Sequence, residues 1–232
     1  MIQLSKRLTM VGEYVPENSR LADIGSDHAY LPIALIQEGR ITFALAGEVV
    51  EGPFDHAKQM VLENNLSEEI VVRLGDGLEV IEKDDNINVI TIAGMGGTLI
   101  ASILDEGKKQ GKLDNRPDLI LQPNVDEYTV RKWLNENGYE IQDENILEEN
   151  KKIYEIIYAT PSNKVLNKLG ESTLWFGQFV EEKNPTVFAK KWQLELKKIE
   201  YILNQLESSK NQHPEKVEKF QSDAKRIKER LT

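Results

Sequence analysis

The sequence changes its periodicity once, near Pro161, and that change limits the fold more than any single motif. Before it, β-rich runs alternate with helix-like stretches, the pattern of a parallel sheet flanked by helices. The runs are 20–24, 42–47, 70–74, 89–93 and 119–122, and helical periodicity is clearest over 54–64 and 126–137. Two further strand-like runs, 139–148 and 152–160, are separated only by Glu149-Asn150-Lys151. Three residues leave no room for a crossover helix, so these runs should pair as an antiparallel hairpin at the sheet edge. After Ser162 the pattern is purely helical. Trp192, Leu196, Ile199, Leu203 and Leu206 step by four and three, as do Val217, Phe220, Ala224, Ile227 and Leu231. Both are heptad-like seams. Residues 208–214 between them have loop composition and end in a proline able to start a helix, so the seams predict an antiparallel helical hairpin, with another helix near 169–182. The expected organisation is an α/β domain over 1–161 and a helical, coiled-coil domain over 162–232.

Composition removes several chemistries. The chain has no cysteine, which excludes disulfides, thiolate metal sites and cysteine nucleophiles. Its three histidines, His28, His56 and His213, have no metal-ligand spacing, so no metal is expected. No window approaches 18 consecutive apolar residues and no leader-like start is visible, so a soluble, cytoplasmic protein with no membrane partner is expected. The net charge of -10 argues against nucleic acid as a partner, but its distribution argues the other way. Residues 1–162 hold 15 Lys+Arg against 29 Asp+Glu, whereas 163–232 hold 14 against 10. An acidic body with a basic tail raises the case for a nucleic-acid partner. Lys190, Lys191, Lys197, Lys198, Lys225, Arg226, Lys228 and Arg230 could track a phosphate backbone, or serve solubility alone.

In a doubly wound sheet, ligands bind beyond the carboxyl ends of the strands. The first such loop reads GSDHAY, Gly25 to Tyr30, with one glycine where a dinucleotide loop needs three. A pyrophosphate would meet Asp23 and Asp27, whereas a cofactor with a cationic centre and an ammonium group, such as S-adenosylmethionine, would find counter-charge there. Glu48, ending the second strand, is placed to accept two ribose hydroxyls. Asp76, in Gly75-Asp76-Gly77, is placed for an adenine amino group or as a turn former. The loop IAGMGG at 92–97 suits close backbone contact with the transferred group, or a phosphate-binding nest. Gln122 and Asn124 carry amides that could read a base edge, or simply form a turn. Ser26, Asp27 and His28 are sequence neighbours whose side chains diverge, so they form no hydrolytic relay.

Together LADIGSDHAYLP at 21–32, AGE at 46–48, GDG at 75–77, IAGMGG at 92–97 and LQPN at 121–124 closely resemble the TrmK-type bacterial tRNA (adenine-22, N1) methyltransferases. The resemblance implies a Rossmann-like, seven-stranded class I methyltransferase sheet with a C-terminal coiled-coil hairpin. It also implies methyl transfer from S-adenosylmethionine to N1 of adenine 22 in tRNA. By position, Asp23, Gly25, Ser26, Asp27 and His28 would face the methionine end, Glu48 the ribose, and Asp76 and Gly77 the adenine. Ala93, Gly94 and Gly96 would also contact the cofactor, with Asp27, His28, Gly94 and Met95 positioning the reaction centre. Gln122, Asn124, Lys190, Lys191, Lys197 and Lys198 would contact substrate, and Arg7, on the amphipathic N-terminal segment, would cap the pocket, touch RNA or be a solvated helix residue. The seams are short enough to be satisfied within one chain, so a monomer is expected. The competing readings are a methyltransferase of the same fold acting on a protein or small molecule, and a cofactor-binding scaffold without turnover.

Overall fold

The computed structural model describes residues 2–207 and 214–232. Its strands are β1 (Ser19–Ile24), β2 (Ile41–Glu48), β3 (Ile70–Leu74), β4 (Val89–Gly96), β5 (Asp118–Val125), β6 (Tyr139–Glu149) and β7 (Lys152–Pro161). They form one sheet in the order β3-β2-β1-β4-β5-β7-β6. The first five are mutually parallel, and β7 pairs antiparallel with both β5 and β6. The hairpin therefore occupies one edge, as its short connection requires. Strand order reverses between β1 and β4, which opens a crevice beyond their carboxyl ends.

Alternation along the strands explains the layers. Ala22, Ile24, Ile90, Ile92, Leu119 and Leu121 pack on one face with Ile100 and Leu104 of α4 (Gly97–Lys109) and Val130 and Leu134 of α5 (Glu127–Glu136). Leu21, Ala44, Val89 and Ile120 pack on the other face with α1 (Lys6–Glu13), α2 (Tyr30–Gln37) and α3 (Glu51–Glu63). Every strand observed begins and ends within about three residues of its expected limits.

The tail contains α6 (Glu171–Phe176), α7 (Val180–Lys183), α8 (Pro185–Glu207) and α9 (Pro214–Leu231). The loop expected between the two seams lies, up to His213, outside the described residues. Trp192, Ile199, Ala224 and Ile227 of the seams bury against Phe176, Val180, Phe188 and Ile146 of β6, so the hairpin packs on the sheet edge as well as on itself. The single helix expected over 169–182 is instead two short ones. The break is at Gly177, whose φ of 79° suits glycine and where a Cβ would sit 2.8 Å from Arg131 Nη2. The bend lets the amides of Gln178 and Phe179 donate to Glu144 Oε2 at 2.5 and 3.1 Å.

Arg131 of α5 is the hub of this junction. It is fully buried and donates through Nε to Glu144 at 2.6 Å, through Nη2 to Glu155, and through Nη1 to the carbonyls of Leu174 and Trp175. Lys191 of α8 adds a second cation, 2.6 Å from Glu127 and 2.7 Å from Glu155. Burial alone would raise the Glu127 carboxyl, but Lys191 and Arg131 hold it below the usual range.

Candidate functional site

The loop after β1 is built under strain. Gly25 has φ 67°, and Asp27, His28 and Ala29 follow in the left-handed region at 49°, 72° and 58°. Each non-glycine residue there costs on the order of 1 kcal/mol. At Gly25 the positive φ strains any side chain, and a Cβ would also push the Met95 terminal methyl aside, 2.3 Å away. The compensation is local. The amides of Gly25 and Ser26 donate to the Gly47 carbonyl at 2.9 and 3.2 Å, and the His28 amide donates to Glu48 Oε1 at 3.4 Å.

Two carboxylates define the electrostatics. Asp23 is buried, with Oδ2 accepting from Ser26 Oγ and Oδ1 from Thr91 Oγ1, both at 2.6 Å. Burial pushes its carboxyl up, against the pull of the two hydroxyls and of Arg7. Glu48 is also buried and also raised, first by loss of solvent and then by the Asp23 charge, despite its bonds from the loop amides. Neither is in an ion pair among the described residues.

A cavity of about 290 Å³ opens beside Asp23, lined by Arg7, Leu8, Gly25, Ser26, Asp27, Ala93, Gly94, Met95, Asn124 and Tyr154. Arg7 reaches it from α1, which Ser5 caps and which Glu149 holds by accepting from the amides of Lys6 and Arg7 at 2.8 and 3.3 Å. Arg7 Nη1 donates to Gln122 Oε1 at 2.6 Å, and the Gly94 amide donates to the same oxygen at 3.0 Å. Gln122 Nε2 in turn donates to the Pro123 carbonyl at 2.8 Å and to Asn124 Oδ1 at 3.2 Å. Gln122 is therefore not available to a base edge as expected: it is 0 % exposed and its amide is used within the protein. It shapes the Gly94 turn instead. Asn124 is exposed, and its Nδ2 donates to the Gly94 carbonyl at 2.7 Å.

Other expected residues are distributed differently. The His28 ring lies 4.1 Å from that of His56 and 5.5 Å from that of Tyr30, turned toward α3 and outside the cavity lining. Asp76 is exposed after β3 and Gly77 begins the short turn that follows; Gly75 donates to the Glu48 carbonyl at 2.9 Å, which puts this loop beside Glu48. Gly96 caps α4. Among the described residues, no group of three or more His, Asp or Glu is placed to hold a metal ion, and no helix is long and apolar enough to cross a membrane.

A larger groove, about 1580 Å³, runs between the β5–α5 loop, the hairpin tip and α8–α9. Lys151, Lys152, Lys197, Lys198, Lys219 and Arg226 line it, with Tyr128, Trp175 and Tyr201, and with acidic Asp126, Glu171 and Glu195 among them. Lys191 also borders it, but its side chain is only 18 % exposed and its ammonium faces Glu127 and Glu155 rather than solvent. Lys190 lies off the groove, 2.6 Å from Glu148. Among the other tail cations, Lys228 pairs with Glu200, Arg230 with Glu181 and Lys225 with Glu229. Lys151, Lys152 and Tyr154 had no signal in the sequence beyond strand pattern, because only the folded hairpin carries them over to the tail.

The sheet order, the glycine turn after β1 and the acid ending β2 define a Rossmann-type class I methyltransferase. The model of the family described as tRNA (adenine(22)-N(1))-methyltransferase, TrmK, matches residues 21–229. A Bacillus subtilis (strain 168) protein of that name is 41% identical over 98% of this chain and 97% of its own length. The chain belongs to this family. The crystal structure of the B. subtilis m1A22 tRNA methyltransferase TrmK superposes with TM-score 0.89 at 39% identity, covering 100% of both chains. A Streptococcus pneumoniae structure, in complex with S-adenosyl-L-methionine, superposes with TM-score 0.88 at 44% identity, covering 99% of this chain and 100% of that one.

Proposed function

We propose that this chain methylates N1 of adenine 22 in tRNA, with residues 1–161 as the catalytic unit and 162–232 as a second grip on the RNA. The observation that carries the cofactor assignment is the pair Asp23 and Glu48: both are buried and raised, and their hydrogen-bond partners are hydroxyls and amides rather than cations. Asp23 so placed fits a ligand group that brings its own positive charge, and Glu48 fits one that brings hydroxyl donors. Bound there, S-adenosylmethionine supplies an electrophilic methyl on a sulfonium. Asp23, held by Ser26 and Thr91, and Asp27 face its aminoacyl end, Glu48 the ribose, and the Asp76–Gly77 turn the adenine. His28 contributes its backbone amide through Glu48.

Adenine N1 carries an in-plane lone pair, so the chain needs no general base to create the nucleophile. Its work is positioning and electrostatics. Gly94 and Met95 wall the cavity, and Gln122 fixes Gly94. N1 is on the Watson–Crick edge, so the nucleotide must leave its pairing or tertiary contacts to react. Lys151, Lys152, Lys197 and Lys198 line the groove and would hold phosphates of the flanking RNA, Lys198 exchanging its pair with Glu195 at 2.9 Å for a phosphate. A monomer accords with seams that bury within one chain.

The test mixes purified protein, labelled S-adenosylmethionine and unmodified tRNA, then digests the RNA and maps it by primer extension. 1-Methyladenosine in the digest with a stop one nucleotide before adenine 22 is the expected result. No label in tRNA, from protein shown to bind the cofactor, would redirect the search to protein and small-molecule acceptors.

A further inference from the structure

The 290 Å³ cavity and the tail groove meet at two residues, Asn124 and Tyr154. A base delivered along the groove must pass both. Tyr154 projects from β7, half-buried, with part of its side chain packed against the core below. Over its ring, 5.6 Å from the centroid, sits the guanidinium of Arg7, tied back to Gln122 at 2.6 Å. This is a planar, delocalised cation resting near an aromatic face at the entrance to the methyl-transfer cavity.

Adenine methylated at N1 becomes a planar, delocalised cation too. An aromatic face attracts such a cation more than the neutral base, so a ring stacked on the target gains strength as charge develops and favours the transition state over the ground state. We propose that Tyr154 is the platform on which the target adenine stacks, with Asn124 at the base edge, and that Arg7 is displaced from the ring when the base arrives. Resting on the tRNA reading above, this names the residue that holds the flipped nucleotide. The phenol hydroxyl has no part in it, and the aromatic face is the functional element.

The experiment compares Tyr154→Leu and Tyr154→Phe with the unaltered protein in three measurements: tRNA methylation kinetics, S-adenosylhomocysteine affinity, and emission from tRNA carrying 2-aminopurine in place of adenine 22 at saturating protein. Stacking of one base on an aromatic ring is worth about 1–3 kcal/mol, so Tyr154→Leu should lose about 5- to 150-fold in kcat/KM. Tyr154→Phe should stay within about threefold. S-adenosylhomocysteine affinity should be the same in all three, and the 2-aminopurine complex should be brighter with Leu than with Tyr or Phe. Equal losses in Leu and Phe, a parallel fall in S-adenosylhomocysteine affinity, or unchanged kcat/KM in Leu would each overturn the platform. If the unaltered protein leaves tRNA unmethylated, it is the tRNA reading that falls.

Discussion

Two groups of acids withdrawn from solvent differ in their partners. At the tail junction, Glu127, Glu144 and Glu155 are met by Arg131 and Lys191, with Arg131 Nε 2.6 Å from Glu144 and Lys191 Nζ 2.6 and 2.7 Å from Glu127 and Glu155. At the carboxyl ends of β1 and β2, Asp23 and Glu48 accept hydrogen bonds from hydroxyls and amides and form no ion pair among the described residues, although the Arg7 charge acts on Asp23. The consequence shows in their ionisation: Glu127 is held below the usual carboxylate range and Asp23 and Glu48 above it. A closed set of charges fixes one element against another, whereas an open set is poised for a cation from outside. The two groups of acids are told apart by partner rather than by burial.

The contrast breaks first, and most strongly, at Arg131. Arg131→Ala leaves Glu144 and Glu155 without their shared cation in the interior and should lower the unfolding free energy by about 3–5 kcal/mol, measured by urea titration. Replacing Arg131, Glu144 and Glu155 together by Met, Gln and Gln should recover much of that loss. A loss below about 1 kcal/mol in the single variant would remove the distinction between the two acid groups. Asp23→Asn should act in the other region, weakening S-adenosylmethionine binding by about 10- to 100-fold in calorimetry, the range expected for a hydrogen bond to a charged group.

Asp23 also supplies a pH test. Its folded pKa is raised, so the native state holds its proton more tightly than the unfolded chain does. The stabilisation is full below the unfolded value of about 3.9 and is lost as pH rises through the folded value. Urea titrations of the cofactor-free protein across that range should show this loss in the unaltered chain and a flatter profile in Asp23→Asn.

Smaller effects sharpen the comparison. Gly25→Ala puts a Cβ against Met95 Cε at φ 67° and should reduce stability by about 1–2 kcal/mol, read by the same denaturation. Lys197→Gln with Lys198→Gln should lower the salt dependence of tRNA binding by about one to two counterions, with S-adenosylmethionine affinity unchanged. Loss of cofactor affinity in that variant would mean that groove and cavity are not separable.

Local pattern carried much of this molecule. Period-two runs, a three-residue hairpin connection and heptad seams each report which face of an element is apolar, and the sheet and tail follow from them. The loops at 23–28, 46–48 and 92–97 were legible because the strand ends of such a sheet converge, so residues far apart in the chain are brought to one edge by topology alone. Over 169–182 the local sequence marks the break only by Gly177, while the Glu144 and Arg131 groups that hold the bend lie in no local window.

What the sequence determined by itself, then, was the order of elements, the acid-lined strand ends and the basic tail. Only the tertiary structure decided that Gln122 is buried behind Gly94, that Lys191 is a junction cation rather than a phosphate contact, and that Arg7 lies over Tyr154 where the cavity meets the groove. The physical reason is common to all three. A polar side chain's role depends on which distant groups remove it from water and which satisfy it, and those neighbours are chosen by long-range packing rather than by the residues beside it.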